Sequence, residues 1–165
     1  MKQPLVSILM GSDSDWPTFQ PAAQLLKEFG IPYDVHALSA HRTPAQVLRY
    51  VAQASRRGVK VFIAGAGGAA HLAGVVAAHT ILPVIGVPMD TKIAGGLDSL
   101  LSTVQMPRGV PVATVAVGNG FNAALLAVQI LAVHDGTLPR KLLTYKRSLA
   151  TKVLKADRLL QTKRP

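Results

Sequence analysis

A chain of 165 residues with 49% apolar and 16% charged side chains can fill one sizeable core, and that balance excludes an intrinsically disordered protein. It contains no cysteine, which removes disulfides, thiolate metal sites and a cysteine nucleophile, and fits a reducing compartment. The net charge of +10 is lopsided: residues 1–139 hold 9 Lys/Arg against 7 Asp/Glu, a net of +2, and residues 140–165 hold 9 against 1, a net of +8.

The basic excess therefore belongs to a terminal segment with a solvated charged face. With few aromatics to stack bases, no specific nucleic-acid surface is expected. So few charges elsewhere point to surface covered by other subunits. No apolar stretch approaches the roughly 20 residues that span a bilayer as a helix. Met1-Lys2-Gln3-Pro4 leads straight into a strand-like run without a signal-peptide pattern. The expectation is a soluble, cytoplasmic chain with no membrane contact.

Leu5 to Met10 reads as a buried parallel strand, followed by the cap-rich loop Gly11-Ser12-Asp13-Ser14-Asp15-Trp16-Pro17. Asp15 or Ser14 can cap the next helix, which carries Leu25, Leu26 and Phe29 and stops at Gly30-Ile31-Pro32. A second strand spans Tyr33 to Leu38, and a second helix spans Thr43 to Arg57 with Val47, Leu48, Val51 and Ala54 on one face. The third strand, Val61 to Ala64, opens into Gly65-Ala66-Gly67-Gly68-Ala69-Ala70-His71, and a small-residue helix follows from about Ala69 to His79. Pro83 to Val87 is the fourth strand, with a short helix from about Leu97 to Thr103. Val112 to Val117 is the fifth, and Gly118-Asn119-Gly120 opens a long apolar helix reaching about Val133.

Strand alternates with helix five times, which predicts a three-layer, flavodoxin-like α/β fold around a parallel sheet of about five strands, with residues 1–165 as a single domain. A last basic helix, about Pro139 to Leu160, repeats Leu142, Tyr145, Leu149, Val153, Ala156 and Leu160 at helical spacing. It comes after the α/β unit is complete, so segment 139–165 is expected to pack on a neighbouring subunit.

Three strand-to-helix loops hold most of the reactive polar residues: Ser12 to Asp15, Ser39 to Arg42, and Gly65 to His71. In a parallel sheet of order 2-1-3-4-5 they meet at one edge, where such folds bind ligands. His41 is the natural proton carrier there, and Arg42 beside it is the natural phosphate anchor. Each piece also has a plainer reading. Ser12, Ser14 and Asp15 can be helix caps, Gly67 and Gly68 can serve close packing, and His71 can be a loop cap. His36, His79 and His134 read as structural or exposed. No metal site is expected, because the histidines lack carboxylates at ligand spacing and Glu28 lies within a helix. No Gly-x-Ser-x-Gly elbow supports a serine hydrolase.

Four stretches together resemble the bacterial-type, class I N5-carboxyaminoimidazole ribonucleotide mutase family of purine biosynthesis. They are Met10-Gly11-Ser12-Asp13-Ser14-Asp15-Trp16, Ser39-Ala40-His41-Arg42-Thr43-Pro44, Ala64 to Leu72, and Asp98-Ser99-Leu100-Leu101-Ser102 through Gln105-Met106-Pro107-Arg108-Gly109. Arg-Thr-Pro after His41 resembles the mutase class, where the related carboxylases that take free CO2 usually have Lys-Gly in place of Arg-Thr. The segment around Gly118-Asn119-Gly120-Phe121 is shorter than in many relatives, and the basic C-terminal segment matches poorly.

The resemblance implies a homo-octamer that moves the carbamate carboxyl of a phosphorylated aminoimidazole ribonucleotide from N5 to C4, with no ATP, metal or organic cofactor. It implies His41 as general acid and then base. Arg42, Ser12 and Ser14 would hold the 5′-phosphate, and Asp15 the ribose hydroxyls. Ser39, Ala40, Gly67, Gly68 and Leu72 would line the pocket, with His71 on the carboxylate side. The alternatives are the free-CO2 carboxylase, and a non-catalytic flavodoxin-like nucleotide or FMN module or basic polyanion binder.

Overall fold

The structure, a computed structural model, describes residues 3–162. Five strands, β1 (Val6–Met10), β2 (Tyr33–Ala37), β3 (Val61–Ala66), β4 (Val84–Pro88) and β5 (Ala113–Thr114), form one sheet in the order β2-β1-β3-β4-β5. All pairings are parallel, and β1 registers Met10 against Ala37 on one side and Gly65 on the other. Among the described residues, six α-helices connect and flank them: α1 (Trp16–Phe29), α2 (Pro44–Arg56), α3 (Leu72–Ala78), α4 (Leu97–Val104), α5 (Gly120–Ala132) and α6 (Leu138–Gln161).

The period of two along a strand divides the interior into two layers. Ile8 and Ile63 point to one face, against Phe19, Leu25 and Leu26 of α1 and Ala123, Ala127 and Val128 of α5. Leu9, Phe62 and Ala64 point to the other, against Val47 and Val51 of α2 and Leu72, Ala73 and Val76 of α3. Both faces being covered explains why the strands read as unbroken apolar runs. The α1–α5 contact is especially close at Gly120, where a Cβ would stand 2.3 Å from the Thr18 carbonyl oxygen.

Several boundaries differ from the sequence expectation. The fifth strand pairs over only Ala113–Thr114, and beyond it single bonds from the Val115 N–H to the Gly86 carbonyl and from the Gly118 N–H to the Pro88 carbonyl hold the chain to β4. The third helix starts at Leu72, not near Ala69, because Gly68 takes a left-handed φ of +67° and the chain stays looped up to His71. Asp15 stands at the N-cap of the first helix, but its side chain makes no capping bond there: Ser12 caps a single 3-10 turn, Asp13–Asp15, and Asp15 reaches back to the Ser12 N–H in a capping box. Among the described residues, no helix is long and apolar enough to cross a membrane. On α6, Leu142 and Tyr145 pack against the body, whereas Leu149, Val153 and Leu160 are exposed.

Candidate active site

The switch between β1 and β3 brings three loops to one rim of the sheet. The loop after β1 ends in the Ser12–Asp15 capping box, and the Ser14 hydroxyl donates to the Ser12 hydroxyl at 2.9 Å. The loop after β2 is closed on itself: the Ser39 N–H reaches Thr43 Oγ1 at 3.0 Å, and that hydroxyl donates to the Ser39 carbonyl at 3.0 Å. The Arg42 N–H reaches Ser39 Oγ at 3.2 Å. These local bonds leave the side chains of His41 and Arg42 facing the other two loops.

Arg42 Nη2 donates to the Gly11 carbonyl at 2.8 Å, tying the second loop to the first. His41 Nε2 lies 2.8 Å from His71 Nδ1, tying it to the third, with the rings at 86° to each other. Either imidazole can supply the shared proton, so the pair carries one hydrogen bond whose direction follows the tautomers of the two rings. The space among the loops is a cavity of about 360 Å³ lined by Gly11, Ser12, Asp15, Ser39, Ala40, His41, Arg42, Ala66, Gly67, Ala69, His71 and Leu72.

Asp15 gives this cavity a negative group opposite Arg42. Burial pushes its carboxyl above the ordinary carboxylate value, opposed by the hydrogen bond from the Ser12 N–H and by the Arg42 charge. A guanidinium, a carboxylate, two imidazoles and a set of close backbone groups thus share one concave site. Larger hollows lie elsewhere, about 620 Å³ between α1 and α6 and about 630 Å³ beside α2 and α3. Neither joins two acid–base side chains by a hydrogen bond, so chemistry selects the smaller cavity.

Residues 5–152 match the family model described as AIR carboxylase. The chain belongs to this family. It is 55% identical over 159 residues to N5-carboxyaminoimidazole ribonucleotide mutase of Pyrococcus horikoshii, covering 96% of this chain and 90% of that one. It is 53% identical over 162 residues to phosphoribosylaminoimidazole carboxylase of Saccharomyces cerevisiae, covering 98% of this chain but only 28% of the yeast protein. A crystal structure of Treponema denticola PurE superposes with a TM-score of 0.87 at 34% identity, covering 98% of this chain and 99% of that one. The family member described here thus has the same α/β sheet and flanking helices.

Of the residues singled out in the sequence, Ser12, Asp15, Ser39, Ala40, His41, Arg42, Gly67, His71 and Leu72 line the cavity, and Ser14 and Gly68 do not. Ser14 is exposed and bonded to Ser12, and the Gly68 N–H is turned away to Ser99 Oγ at 2.9 Å. His36 lies 3.5 Å from Asp34 and His79 bonds the Val75 carbonyl at 2.8 Å, both outside it. Gly11, Ala66 and Ala69, which residue type does not mark as functional, also contribute backbone and small side chains to the lining. Ser99 and Ser102 do carry a signal in the sequence, since hydroxyls three residues apart on a helix share a face.

Proposed function

We propose that this chain is an N5-carboxyaminoimidazole ribonucleotide mutase of purine biosynthesis. The observation that carries the reading is the His41–His71 pair, joined at 2.8 Å across a cavity that also holds Arg42, Ser12 and Asp15. It supplies a proton carrier beside an anion anchor, as the transfer requires. An imidazolium at His41 donates its proton to N5 of the carbamate as the C–N bond breaks and CO2 leaves. Ring carbon C4 then attacks the retained CO2, and neutral His41 removes the C4 proton to restore aromaticity. One proton is given and one taken back, so the residue ends as it began. Holding CO2 beside its acceptor turns a bimolecular step into a local one.

In this reading Arg42, Ser12 and Ser14 take the 5′-phosphate, Asp15 accepts from the ribose hydroxyls, and Ser39, Ala40, Gly67, Gly68 and Leu72 surround the base. His71 supports the carboxylate side through its bond to His41. Arg42→Ala is expected to weaken binding of the phosphorylated nucleotide by about 1.5–3 kcal/mol, the worth of a charged hydrogen bond. Titration calorimetry reads this directly, and unchanged affinity would move the phosphate elsewhere. Arg42→Lys should recover only part of the loss, since lysine keeps charge without the fork.

The deciding experiment supplies purified protein with the carbamate nucleotide, or with aminoimidazole ribonucleotide plus bicarbonate. Turnover of the first at low bicarbonate supports the mutase, and turnover of the second alone supports the carboxylase.

Residues 1–165 are proposed to act as one cytoplasmic α/β domain within a homo-octamer, with segment 139–165 packed on a neighbouring subunit. Support comes from apolar side chains left in solvent: Ile81, Leu101 and Val104 on the body, and Leu149, Val153 and Leu160 along α6. The double variant Leu149→Glu/Val153→Glu should lower the assembly mass seen by sedimentation velocity. An unchanged mass would place the subunit contacts elsewhere.

A further inference from the structure

The wall of the cavity that carries His71 is held from behind by α4. Ser99 is fully buried, and its Oγ accepts the Gly68 N–H at 2.9 Å. Ser102, one turn further on, accepts the Ala70 N–H at 3.3 Å, and its hydroxyl reaches the Gly68 carbonyl at 3.0 Å. Its single proton can serve that carbonyl or the Asp98 carbonyl within α4, which it also approaches. Two N–H groups of the turn Gly68–Ala70, and the Gly68 carbonyl when the Ser102 proton points to it, are therefore met by two side chains of another element.

The turn needs such support. Gly68 sits at φ +67°, in the left-handed region that glycine visits freely and does not hold by itself. Gly67 packs close behind, where a Cβ would be 3.3 Å from Met89 Cβ and 4.0 Å from Ser99 Oγ. His71 follows immediately, at the N-terminal boundary of α3, with no side-chain cap of its own. The position of its ring thus depends on where Gly68–Ala70 is pinned. The start of α4 is itself fixed, because Thr91 Oγ1 donates to Asp98 Oδ1 at 2.6 Å.

We infer that Ser99 and Ser102 are positioning residues for the transfer: from α4 they pin the Gly68–Ala70 turn and so set His71 against His41. Neither lines the cavity, so both act through the loop and not by touching substrate. The inference rests on the mutase reading for its kinetic arm alone.

The test compares Ser102→Ala, Ser99→Ala and Ser102→Thr with the wild type, using Ser55→Ala as a control whose hydroxyl bonds only the Val51 carbonyl within α2. Ser102→Ala is expected to fold, to keep KM for the carbamate nucleotide within about twofold, and to lose about tenfold or more in kcat. Displacing a reacting group by about 1 Å can cost on the order of 10²-fold. Ser102→Thr should restore most of that loss, because it returns the hydroxyl. Independently of any reaction, the imidazole NMR signals of His41 and His71 should shift in Ser102→Ala and stay put in Ser55→Ala. Unchanged kcat and unchanged imidazole signals in both alanine variants would overturn the inference. So would failure of both to fold, since the hydroxyls would then serve stability alone. A wild type inactive on the carbamate sinks the mutase reading, and the imidazole signals still decide this one.

Discussion

Replacing His41 by Asn is expected to leave nucleotide affinity near that of the wild type and to lower kcat by at least about 10²-fold, within the 10²–10⁴ range of a positioned proton carrier. The two halves of this result have separate causes. Affinity for the nucleotide is assigned to Arg42, Ser12 and Asp15, whose bonds to Gly11 and within the capping box do not involve the imidazole. Asparagine has a planar polar tip that can still meet His71, but it cannot exchange a proton near neutral pH. Both chemical steps need that exchange, first toward N5 and then from C4. The checks are calorimetric affinity and single-turnover kinetics with the carbamate nucleotide. Equal losses in affinity and rate would make His41 a binding residue. A rate near the wild type would transfer the proton to another group, with His71 first in line at 2.8 Å.

The pattern that predicts this site is legible at the level of topology. An apolar strand and a loop of capping residues or glycines, three times over, suffice to predict β2, β1 and β3 side by side with their loops on one rim. Less legible are features that depend on more distant partners. The run Val112–Val117 is as apolar as the other strands, yet only Ala113 and Thr114 pair in register with β4, and the chain then bends into the turn at Gly118, whose φ is +67°. Ser12, Ser14 and Asp15 are all good caps. Which one caps is decided by Asp15 reaching back to Ser12, a choice of local geometry that residue type leaves open. The His41–His71 bond joins rings 30 positions apart. No periodicity reports it, and it follows only once the turn at Gly68 has been pinned by α4. Phe19 is buried with Leu25, Leu26 and Phe29 on α1, a helix that keeps Pro17 in its first turn and Pro21 inside it.

Phe19 is where the largest loss of stability is expected. Its ring is fully buried and stands where two glycines let the backbone come close. A Cβ on Gly65 would meet Phe19 Cζ at 2.5 Å, and a Cβ on Gly120 would meet its Cδ1 at 3.4 Å. The ring therefore fills the space between the end of β3 and the start of α5, with the Met89 side chain beside it over Gly65. Phe19→Ala should cost about 3–5 kcal/mol, the range for removing a fully packed aromatic. At about 2–4 °C per kcal/mol for a domain of this size, the midpoint should fall by roughly 6–20 °C. Thermal and urea unfolding must be compared at one protein concentration, because assembly would itself shift the midpoint. Gly65 also leads into the loop that carries His71, so Phe19→Ala should lower kcat as well, even at temperatures where it is fully folded. Leu26→Ala supplies the contrast: it opens a cavity in the same layer, at the far end of α1 from the site, and should reduce stability while leaving kcat near the wild type. A loss below about 1.5 kcal/mol for Phe19→Ala would mean that α1 and α5 close over the gap, and the ring would not be the wedge between them.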